Sequence, residues 1–298
     1  MNIKNIMIAG GGNLGSQVAW QCAVKGFNVV VYDAFEKGLE TSKSYHQAFG
    51  LLFINERGMT EQERDDAFQR ISYTTNLEEA SRDIDLVNES IPENIEIKKH
   101  FYTKLSQFAP AKTIFTTNSS ATLPSDYASF TDRPEKFLAL HFANGIWDAN
   151  IGEVMGHSGT DPMVFNRVLK FAEEIGMVPI PIHKEQNGYI INSLLIPLLK
   201  AGVDLLRNNV TDIESIDKTW MICTNTKVGP LGIMDIIGMQ TIYNIYTFVG
   251  ESTGDQLAFD RAHYIKNNFI DKGKMGISSG EGFYKYPNPA YEDENFLS

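Results

Sequence analysis

The 298-residue sequence predicts an α/β domain over residues 1–185, followed by an all-helical domain over residues 186–298. The first part alternates short apolar runs with polar stretches of helical pattern, as in a sheet covered by helices on both faces. Beyond residue 185, strand patterns fade and apolar residues recur at helical spacing. A glycine-rich turn after the first apolar run indicates which kind of α/β domain this is.

The glycine-rich turn fits the pattern G-x-G-x-x-G, because Gly10, Gly12 and Gly15 stand at its three glycine positions. An apolar run precedes it and a helix-compatible stretch follows it. Gly10 permits the tight turn, Gly12 lets the backbone approach a pyrophosphate, and Gly15 lets the helix pack close to the strand. Asn13 and Leu14 open the helix and are expected to contact the cofactor, since free amide groups at a helix start bind phosphates. These features predict a Rossmann-type dinucleotide-binding domain.

Asp33 ends the second apolar run, where a carboxylate can accept hydrogen bonds from the hydroxyls of an adenosine ribose. A carboxylate at this place also repels the 2′-phosphate that distinguishes NADP from NAD. Residues 34–36 supply no arginine to bind that phosphate, and only Lys37 is nearby in the sequence. The sequence therefore predicts NAD as the cofactor.

The apolar runs of the first domain are mostly continuous, which is typical of strands buried on both faces of a sheet. The predicted strands are Asn5–Ala9, Asn28–Tyr32, Leu86–Ser90, Thr113–Thr117, Phe137–Phe142, Glu153–Gly156 and Val178–Ile182. Between the second and third of them, residues 36–70 are predicted to form a helix pair broken at Gly58. This connection is longer than a usual crossover, and we expect it to project from the sheet.

Four helical stretches are predicted in the second domain. They are Tyr189–Leu206, a stretch opened by the capping box Thr211-x-x-Glu214, a stretch from Gly229-Pro230 to Val249, and Asp255–Ile270. Pro197 predicts a kink in the first of them.

Composition narrows the possible partners. A net charge of −11 and a pI of about 5.0 argue against nucleic acid, which requires clustered lysine and arginine. Cys22 and Cys223 are far apart and predicted to be buried free thiols rather than a disulfide or metal site. The sequence shows no apolar stretch long enough to span a bilayer and opens with no signal-peptide pattern. We expect a cytoplasmic protein with no metal, membrane or nucleic-acid partner.

Further segments follow the predicted strands in a characteristic order. They are Glu89-Ser-Ile-Pro-Glu93-Asn-Ile-Glu-Ile-Lys98, Asn118-Ser-Ser120, His141-Phe-Ala-Asn144, Glu153-Val-Met, Asn187-Gly-Tyr-Ile-Ile-Asn192 and Gly280-Glu-Gly-Phe-Tyr-Lys-Tyr286. This set resembles the L-3-hydroxyacyl-CoA dehydrogenase family over nearly the whole chain, and most closely its bacterial diketoreductase branch. The resemblance implies an NAD domain, a helical domain that joins two copies into a homodimer, and a site in the cleft between the domains.

The chemistry of such a family requires a group that exchanges a proton with the substrate oxygen while hydride moves. His141 can do this near neutral pH, and it stands at the predicted carboxyl end of a strand, where ligands bind in open α/β sheets. Glu153, on or beside the next strand, could reach the imidazole and orient it. The resemblance assigns this pair as catalytic.

The resemblance also implies the remaining site residues. Ser120 matches a donor to the substrate oxygen, and Asn192 matches an asparagine that polarises the carbonyl, together an oxyanion-type site. The positions that match contacts near the nicotinamide ribose are Glu93, Lys98, Asn118 and Asn144.

The sequence departs from the family pattern where the acyl-CoA portion would bind. After His141 the family pattern His-Phe-Phe-Asn-Pro-x-Pro has lost both prolines, and Trp147 enters the loop. Ser278 replaces a frequent lysine, and the helix pair is apolar over residues 48–53 and mainly acidic over residues 61–66. Coenzyme A carries phosphates, so these changes favour a small 3-oxo or 3-hydroxy substrate over a long acyl-CoA.

Alternatives remain open at this stage. The protein could be a 3-hydroxybutyryl-CoA dehydrogenase proper, or a dehydrogenase of another hydroxy acid such as L-gulonate or L-carnitine. A dinucleotide-binding protein without turnover, like the lens crystallin relatives, is a third reading, which the presence of Ser120, His141, Glu153 and Asn192 opposes.

Overall fold

The computed structural model describes residues 2–298, which divide into two compact units. The first ends at Ile190 and contains an eight-stranded sheet, and the second, Ile191–Ser298, is built mainly from helices. This architecture confirms the predicted α/β domain followed by an all-helical domain. Within residues 2–298, no helix is long and apolar enough to cross a membrane.

The sheet of the first unit follows the pattern of a doubly wound fold. Its strands are β1 (Asn5–Ala9), β2 (Asn28–Tyr32), β3 (Ile71–Thr74), β4 (Leu86–Glu89), β5 (Ile114–Thr117), β6 (Phe137–Phe142), β7 (Ile151–Gly156) and β8 (Val178–Ile182). They lie in the order β3-β2-β1-β4-β5-β6-β7-β8. β1 to β6 are parallel, whereas β7 runs antiparallel to β6 and pairs with β8 in parallel.

All the predicted strands are present, with small shifts at their ends. β3 was not predicted, because it is a short strand at the edge of the sheet in which only Ile71 is buried. A half-exposed edge strand leaves little apolar signal in the sequence.

Helices cover both faces of the sheet. They are α1 (Asn13–Val24), α2 (Glu36–Arg57), α3 (Glu61–Gln69), α4 (Leu77–Ser81), α5 (Ile95–Phe108), α6 (Ser125–Ala128) and α7 (Pro162–Glu174). Alternate residues of β1 serve the two faces: Ile6 and Ile8 pack in the core that contains α1 and α7, while Met7 and Ala9 pack in the core that contains α5. Burial on both faces explains why the strand sequences are continuously apolar.

The predicted helix pair is formed by α2 and α3, with Gly58 between them in the left-handed region at φ 70°. Contrary to the expectation that the pair projects from the sheet, both helices pack against α1. Phe49 and Phe53 of α2 are buried in the core of the first unit, and the Phe53 ring lies 6.0 Å from that of Trp20 on α1. The apolar face of α2 is therefore used within this unit.

The second unit contains α8 (Ile191–Arg207), α9 (Ile213–Thr224), α10 (Pro230–Ile237), α11 (Met239–Thr253) and α12 (Gln256–Asn268). Pro197 lies inside α8. The capping box was predicted one residue too early, because Asp212 rather than Thr211 caps α9 by accepting from the Ser215 amide. The helix predicted to run to Val249 is two helices, since Gly238 at φ 92° separates α10 from α11.

Two buried aspartates organise the second unit. Asp217 accepts hydrogen bonds from amides in the first turn of α10, both at 2.9 Å. Asp235 accepts from the amides of Phe283 and Tyr284, at 2.8 and 2.9 Å. A Cβ at Gly282 would lie 2.0 Å from the Asp235 carboxylate, so only glycine allows this approach. The glycine-containing segment of residues 280–286 is thereby fixed to α10.

Candidate active site

The candidate active site of the first unit lies at the carboxyl edge of the sheet, where loops that follow parallel strands meet. Most of the predicted site residues come after a strand or near its end: Gly10, Gly12, Asn13, Leu14 and Gly15 after β1, Asp33 after β2, Glu93 and Lys98 after β4, Asn118 and Ser120 after β5, His141 within β6, and Asn144 after β6. The parallel sheet therefore brings distant parts of the sequence to one edge.

The glycine loop after β1 is fixed by close backbone approaches at three of its glycines, Gly10, Gly11 and Gly15. Gly10 has φ 110°, and a Cβ there would lie 2.4 Å from the carbonyl oxygen of Ser90. A Cβ at Gly15 would lie 2.2 Å from the carbonyl oxygen of Gly10. At Gly12, by contrast, a Cβ would meet no atom within 4 Å, among residues 2–298. The loop is thus held tightly on its inner side and open at the residue where a pyrophosphate would approach.

A cavity of about 800 Å³ opens beside this loop. Asp33 lies on its wall, where the carboxylate accepts the amide hydrogens of Gly11 and Phe35 at 2.9 and 3.0 Å. These bonds fix the carboxylate where an adenosine ribose would meet it. The residues present fit NAD: the glycine loop suits the pyrophosphate and Asp33 suits the ribose hydroxyls.

Helix α5 adds two groups to this cavity that sequence reasoning missed. His100 and Lys104 of α5 line the cavity, although they are distant from the glycine loop in the sequence. Lys37 of α2 lines it as well. α5 connects β4 to β5, and the path of this connection brings His100 and Lys104 to the cavity. Their distance from Asp33 in the sequence therefore did not indicate that they line the same cavity.

His141 and Glu153 form the central pair of the site. They are direct neighbours across the antiparallel β6 and β7 strands, and the imidazole Nδ1 lies 2.9 Å from Glu153 Oε2. Both are buried, with 3% and 1% of their surface exposed. The antiparallel register of β6 and β7 therefore sets this contact.

Ser120 completes a three-residue chain. Its Oγ lies 2.8 Å from Nε2 of His141, and the serine itself is exposed. Since the Glu153 carboxylate accepts the Nδ1 hydrogen, Nε2 is the nitrogen that can take up or release a proton. The proton-exchanging atom therefore lies on the same side as the exposed serine hydroxyl.

Tyr189 and Ile190 are site residues that sequence reasoning missed. The Tyr189 ring is stacked on the His141 imidazole, with centroids 4.2 Å apart and planes inclined by 16°. The Ile190 amide donates to Glu153 Oε1 at 2.9 Å, so the carboxylate is held at both oxygens. The segment around them was recognised as a motif, but its contact with His141 depends on a backbone turn that residue spacing does not reveal.

Asn118 joins the ends of neighbouring strands. Its Oδ1 accepts the amide hydrogen of Phe142 at 2.8 Å, and its Nδ2 donates to Ser90 Oγ at 3.1 Å. Asn118 is 6% exposed, and these two contacts join the loop after β4 to the end of β6.

Lys98 is fully buried between two carboxylates. Its Nζ lies 3.1 Å from Glu89 Oε1 and 3.0 Å from Glu93 Oε2. Burial opposes the charge, but the two carboxylates outweigh it and raise the pKa of Lys98. Glu93 also accepts from Ser119 Oγ at 2.8 Å and lines the cavity. Lys98 thus holds Glu93, and its own contact with the cofactor stays a prediction.

Asn13 and Asn144 come together at the start of α1. Asn13 Nδ2 donates to Asn144 Oδ1 at 3.3 Å, and both residues are exposed. Gln17, which was not predicted, donates to Asn13 and accepts the Gly145 amide at 2.7 Å. Leu14 is half-buried and packs against the core of the unit.

Trp147 packs against the helix pair. Its ring lies 4.9 Å from that of Phe49 and 5.4 Å from that of Phe53. Arg57 at the end of α2 donates to the Trp147 carbonyl and forms an ion pair with Asp148. The loop that lost its prolines is therefore attached to α2 by aromatic and ionic contacts.

Asn192 is the second residue of α8 and belongs to the second unit. Its predicted role at the substrate carbonyl stays a prediction.

Two family profiles match the chain. The NAD binding domain of 3-hydroxyacyl-CoA dehydrogenase matches residues 5–186, and the C-terminal domain of 3-hydroxyacyl-CoA dehydrogenase matches residues 188–286. Together they cover almost the whole sequence.

Individual relatives agree with the profiles. A solved structure described as "Substrate-directed dual catalysis of dicarbonyl compounds by diketoreductase" is 46% identical, with a TM-score of 0.90, and the match covers 96% of this chain and 100% of that one. A probable 3-hydroxybutyryl-CoA dehydrogenase of Bacillus subtilis is 31% identical over 291 residues, 96% of this chain and 98% of the relative. The mitochondrial hydroxyacyl-coenzyme A dehydrogenase of Rattus norvegicus is 29% identical over 95% of this chain and 91% of its own.

Proposed function

The chain belongs to the 3-hydroxyacyl-CoA dehydrogenase family, and on this basis we propose that it interconverts a 3-hydroxy and a 3-oxo compound with NAD(H), acting on small acids or esters. The observation that carries the proposal is the chain of contacts from Ser120 through His141 to Glu153, at the edge of a sheet that also carries the NAD loop. This arrangement provides a proton donor and an oriented imidazole at one place.

The reaction requires one proton and one hydride for each carbonyl reduced. Bound NAD(H) supplies or accepts the hydride. In the direction of reduction, the protonated His141 releases its Nε2 proton to the carbonyl oxygen as that oxygen becomes a hydroxyl. In the direction of oxidation, the neutral Nε2 accepts the proton from the hydroxyl.

The neighbours of His141 support this proton transfer. Glu153, hydrogen-bonded to Nδ1, holds the imidazole tautomer and stabilises the charged ring. Ser120 donates a hydrogen bond to the substrate oxygen, whose negative charge grows during reduction, and the family resemblance implies that Asn192 donates a second one. Glu93, Lys98, Asn118 and Asn144 hold or contact the nicotinamide side of NAD.

Features of the helix pair support a small substrate. Arg57 and Arg64 are each paired with an aspartate, so these cations are already engaged. Trp147 fills the space against Phe49 and Phe53. The 46% identical diketoreductase is described as acting on dicarbonyl compounds, and the 3-oxo acids and esters proposed here also carry two carbonyl groups.

We also propose that the protein is a cytoplasmic homodimer joined through its helical unit. Large apolar side chains of that unit are exposed in the single chain: Leu194, Val210, Ile222, Ile236, Phe248 and Leu257. Contact with a second copy would remove them from water. The free thiols of Cys22, which is buried, and Cys223, which is exposed rather than buried as predicted, suit a reducing compartment.

The test is a comparison of substrates with the purified protein. NADH oxidation is measured with ethyl 3-oxobutanoate, a 3,5-dioxo ester and acetoacetyl-CoA at matched concentrations. We expect turnover of the esters with kcat/KM above that for acetoacetyl-CoA. A strong preference for acetoacetyl-CoA would instead indicate a 3-hydroxybutyryl-CoA dehydrogenase, which is the probable activity named for the Bacillus subtilis relative. Absence of turnover with every compound would contradict the proposal.

A further inference from the structure

An aromatic ring covers one face of the His141 imidazole. Tyr189 lies 4.2 Å from it, centroid to centroid, at an interplanar angle of 16°, which is a nearly parallel stack. Tyr189 is 1% exposed and His141 is 3% exposed, so this contact is shielded from water. The imidazole is thus held by two hydrogen-bonded nitrogens in its plane and by a tyrosine ring on its face.

The backbone reaches this position through an unfavourable conformation. Gly188 has φ 77° and Tyr189 has φ 53°, so a non-glycine residue is held in the left-handed region. The next amide, that of Ile190, donates to Glu153 Oε1. Conformations of this kind persist where surrounding contacts impose them, and they concentrate at functional sites. One short turn therefore places a ring on His141 and an amide on its carboxylate partner.

The charges around the stack are mainly carboxylates. Burial, and then Glu153, Glu93, Glu89 and Glu185 in that order, raise the pKa of Tyr189 far above its ordinary value, so its ring stays a neutral phenol. Two of these carboxylates, Glu89 and Glu93, form ion pairs with Lys98, which offsets part of their negative charge. A neutral electron-rich ring next to a histidine is suited to stabilise the imidazolium through its face.

We propose that Tyr189 is a positioning residue whose ring fixes the plane of the His141 imidazole and stabilises its protonated form. The inference rests on the proposed function for its catalytic meaning, because the protonated imidazole is the donor in reduction. The proposed effect of the Tyr189 ring on the ionisation of His141 can be measured without turnover. A cation shielded from water gains appreciably from an aromatic face, enough to move its ionisation by up to about one pH unit.

The experiment follows the ionisation of His141 by NMR in protein labelled with ¹³C at the histidine rings. The chain has 6 histidines, and the signal of His141 is identified by its loss in His141→Asn. The variants are Tyr189→Phe, which keeps the ring, Tyr189→Leu, which removes it, and pentafluorophenylalanine at position 189, which keeps the shape but reverses the charge distribution of the ring face. The control is Tyr73→Leu, because Tyr73 contacts a different buried histidine, His46.

We expect the ionisation midpoint of His141 to stay within about 0.2 pH unit in Tyr189→Phe and to fall by about 0.5–1 pH unit in Tyr189→Leu and in the fluorinated protein. The pH at which reduction falls to half its maximum should move by the same amount, with NADH affinity unchanged. The Tyr73 control should leave the midpoint of His141 where it is.

Unchanged midpoints in both ring-altering proteins, with only a lower melting temperature, would reduce Tyr189 to a packing role and overturn the inference. An equal shift in Tyr189→Phe would assign the effect to the hydroxyl and also overturn it. If Tyr189→Leu does not fold, the isosteric fluorinated protein decides. A wild type without turnover would refute the proposed function, and the NMR midpoints would still decide the role of Tyr189.

Discussion

His141 and Glu153 show how far single residues can be interpreted from the sequence. Each stands in an apolar strand, where a polar side chain requires a partner, and the register of β6 and β7 makes them neighbours. Tyr189 could not be predicted in the same way, because its stack on His141 depends on left-handed backbone at residues 188 and 189. Lys98 was predicted from a motif, and the motif did not reveal that Glu89 and Glu93 enclose it.

Asp33 should determine the choice of cofactor. Replacing it by serine removes the charge that repels a 2′-phosphate, while Lys37, His100 and Lys104 remain in the same cavity. We expect Asp33→Ser to narrow the preference for NADH over NADPH by about tenfold or more, measured as the ratio of kcat/KM for the two cofactors.

The matched control is Asp33→Asn, which removes the charge but keeps an oxygen that can accept the Gly11 amide hydrogen. It should also narrow the preference, with less loss of thermal stability than Asp33→Ser. Equal use of NADH and NADPH by the unaltered protein would contradict this role of Asp33.

At the scale of elements, continuous apolar runs predicted the buried strands well, because both faces of the sheet are covered. Elements with weaker patterns were missed or misplaced. β3 has one buried residue, and the start of α9 offered two neighbouring capping residues, Thr211 and Asp212. The break at Gly238 was hidden because apolar helical spacing continues across it.

The loop after β6 and helix α2 should behave as one packed element. Trp147→Ala removes the aromatic contacts with Phe49 and Phe53, and we expect the free energy of unfolding to fall by about 2 kcal/mol, measured by urea denaturation. The loss of bulk should also raise activity on larger substrates relative to small ones. Trp147→Phe keeps a ring and should retain most of the stability. An alanine variant with unchanged stability and unchanged substrate ranking would contradict both parts.

The buried carboxylate of Asp235 predicts a pH effect in the second unit. Burial, opposed by the amides of Phe283 and Tyr284, raises the pKa of Asp235 above 3.8 in the folded protein. A carboxyl group whose pKa is higher in the folded than in the unfolded protein stabilises the folded state at pH values below its unfolded-state pKa. This contribution to the free energy of unfolding is lost as the pH rises through the folded-state pKa. We therefore expect the stability advantage of wild type over Asp235→Asn to shrink as the pH is raised from about 4.

The measurement is urea unfolding of both proteins over this rise in pH. Asparagine keeps one acceptor oxygen and loses the other, so the variant should be less stable throughout, by about 1–3 kcal/mol. An advantage that grows with pH would contradict the sign of the argument.

At the scale of the whole molecule, the division into a sheet-containing unit and a helical unit followed from the change of pattern in the sequence. The family resemblance implied a homodimer joined through the helical domain, and the exposed apolar residues of the helical unit, among them Phe248 at 59% exposure, support that expectation. Their exposure in the single chain predicts a homodimer. Sedimentation at micromolar concentration should give about twice the chain mass of 33.4 kDa. A stable monomer would exclude this assembly.

The central claim is that His141 transfers the proton in an NAD-dependent reduction. Its most direct test is the rate of NADH oxidation with ethyl 3-oxobutanoate in wild type and in His141→Asn, together with the NADH dissociation constant of each. Removal of a positioned proton-transfer group lowers turnover by about a hundredfold or more. We predict such a loss of kcat with NADH binding unchanged, because the proposed role of His141 is to exchange a proton with the substrate, and its side-chain contacts are with Ser120 and Glu153. Near-normal turnover of the variant across neutral pH would show that another group carries the proton and would contradict the account.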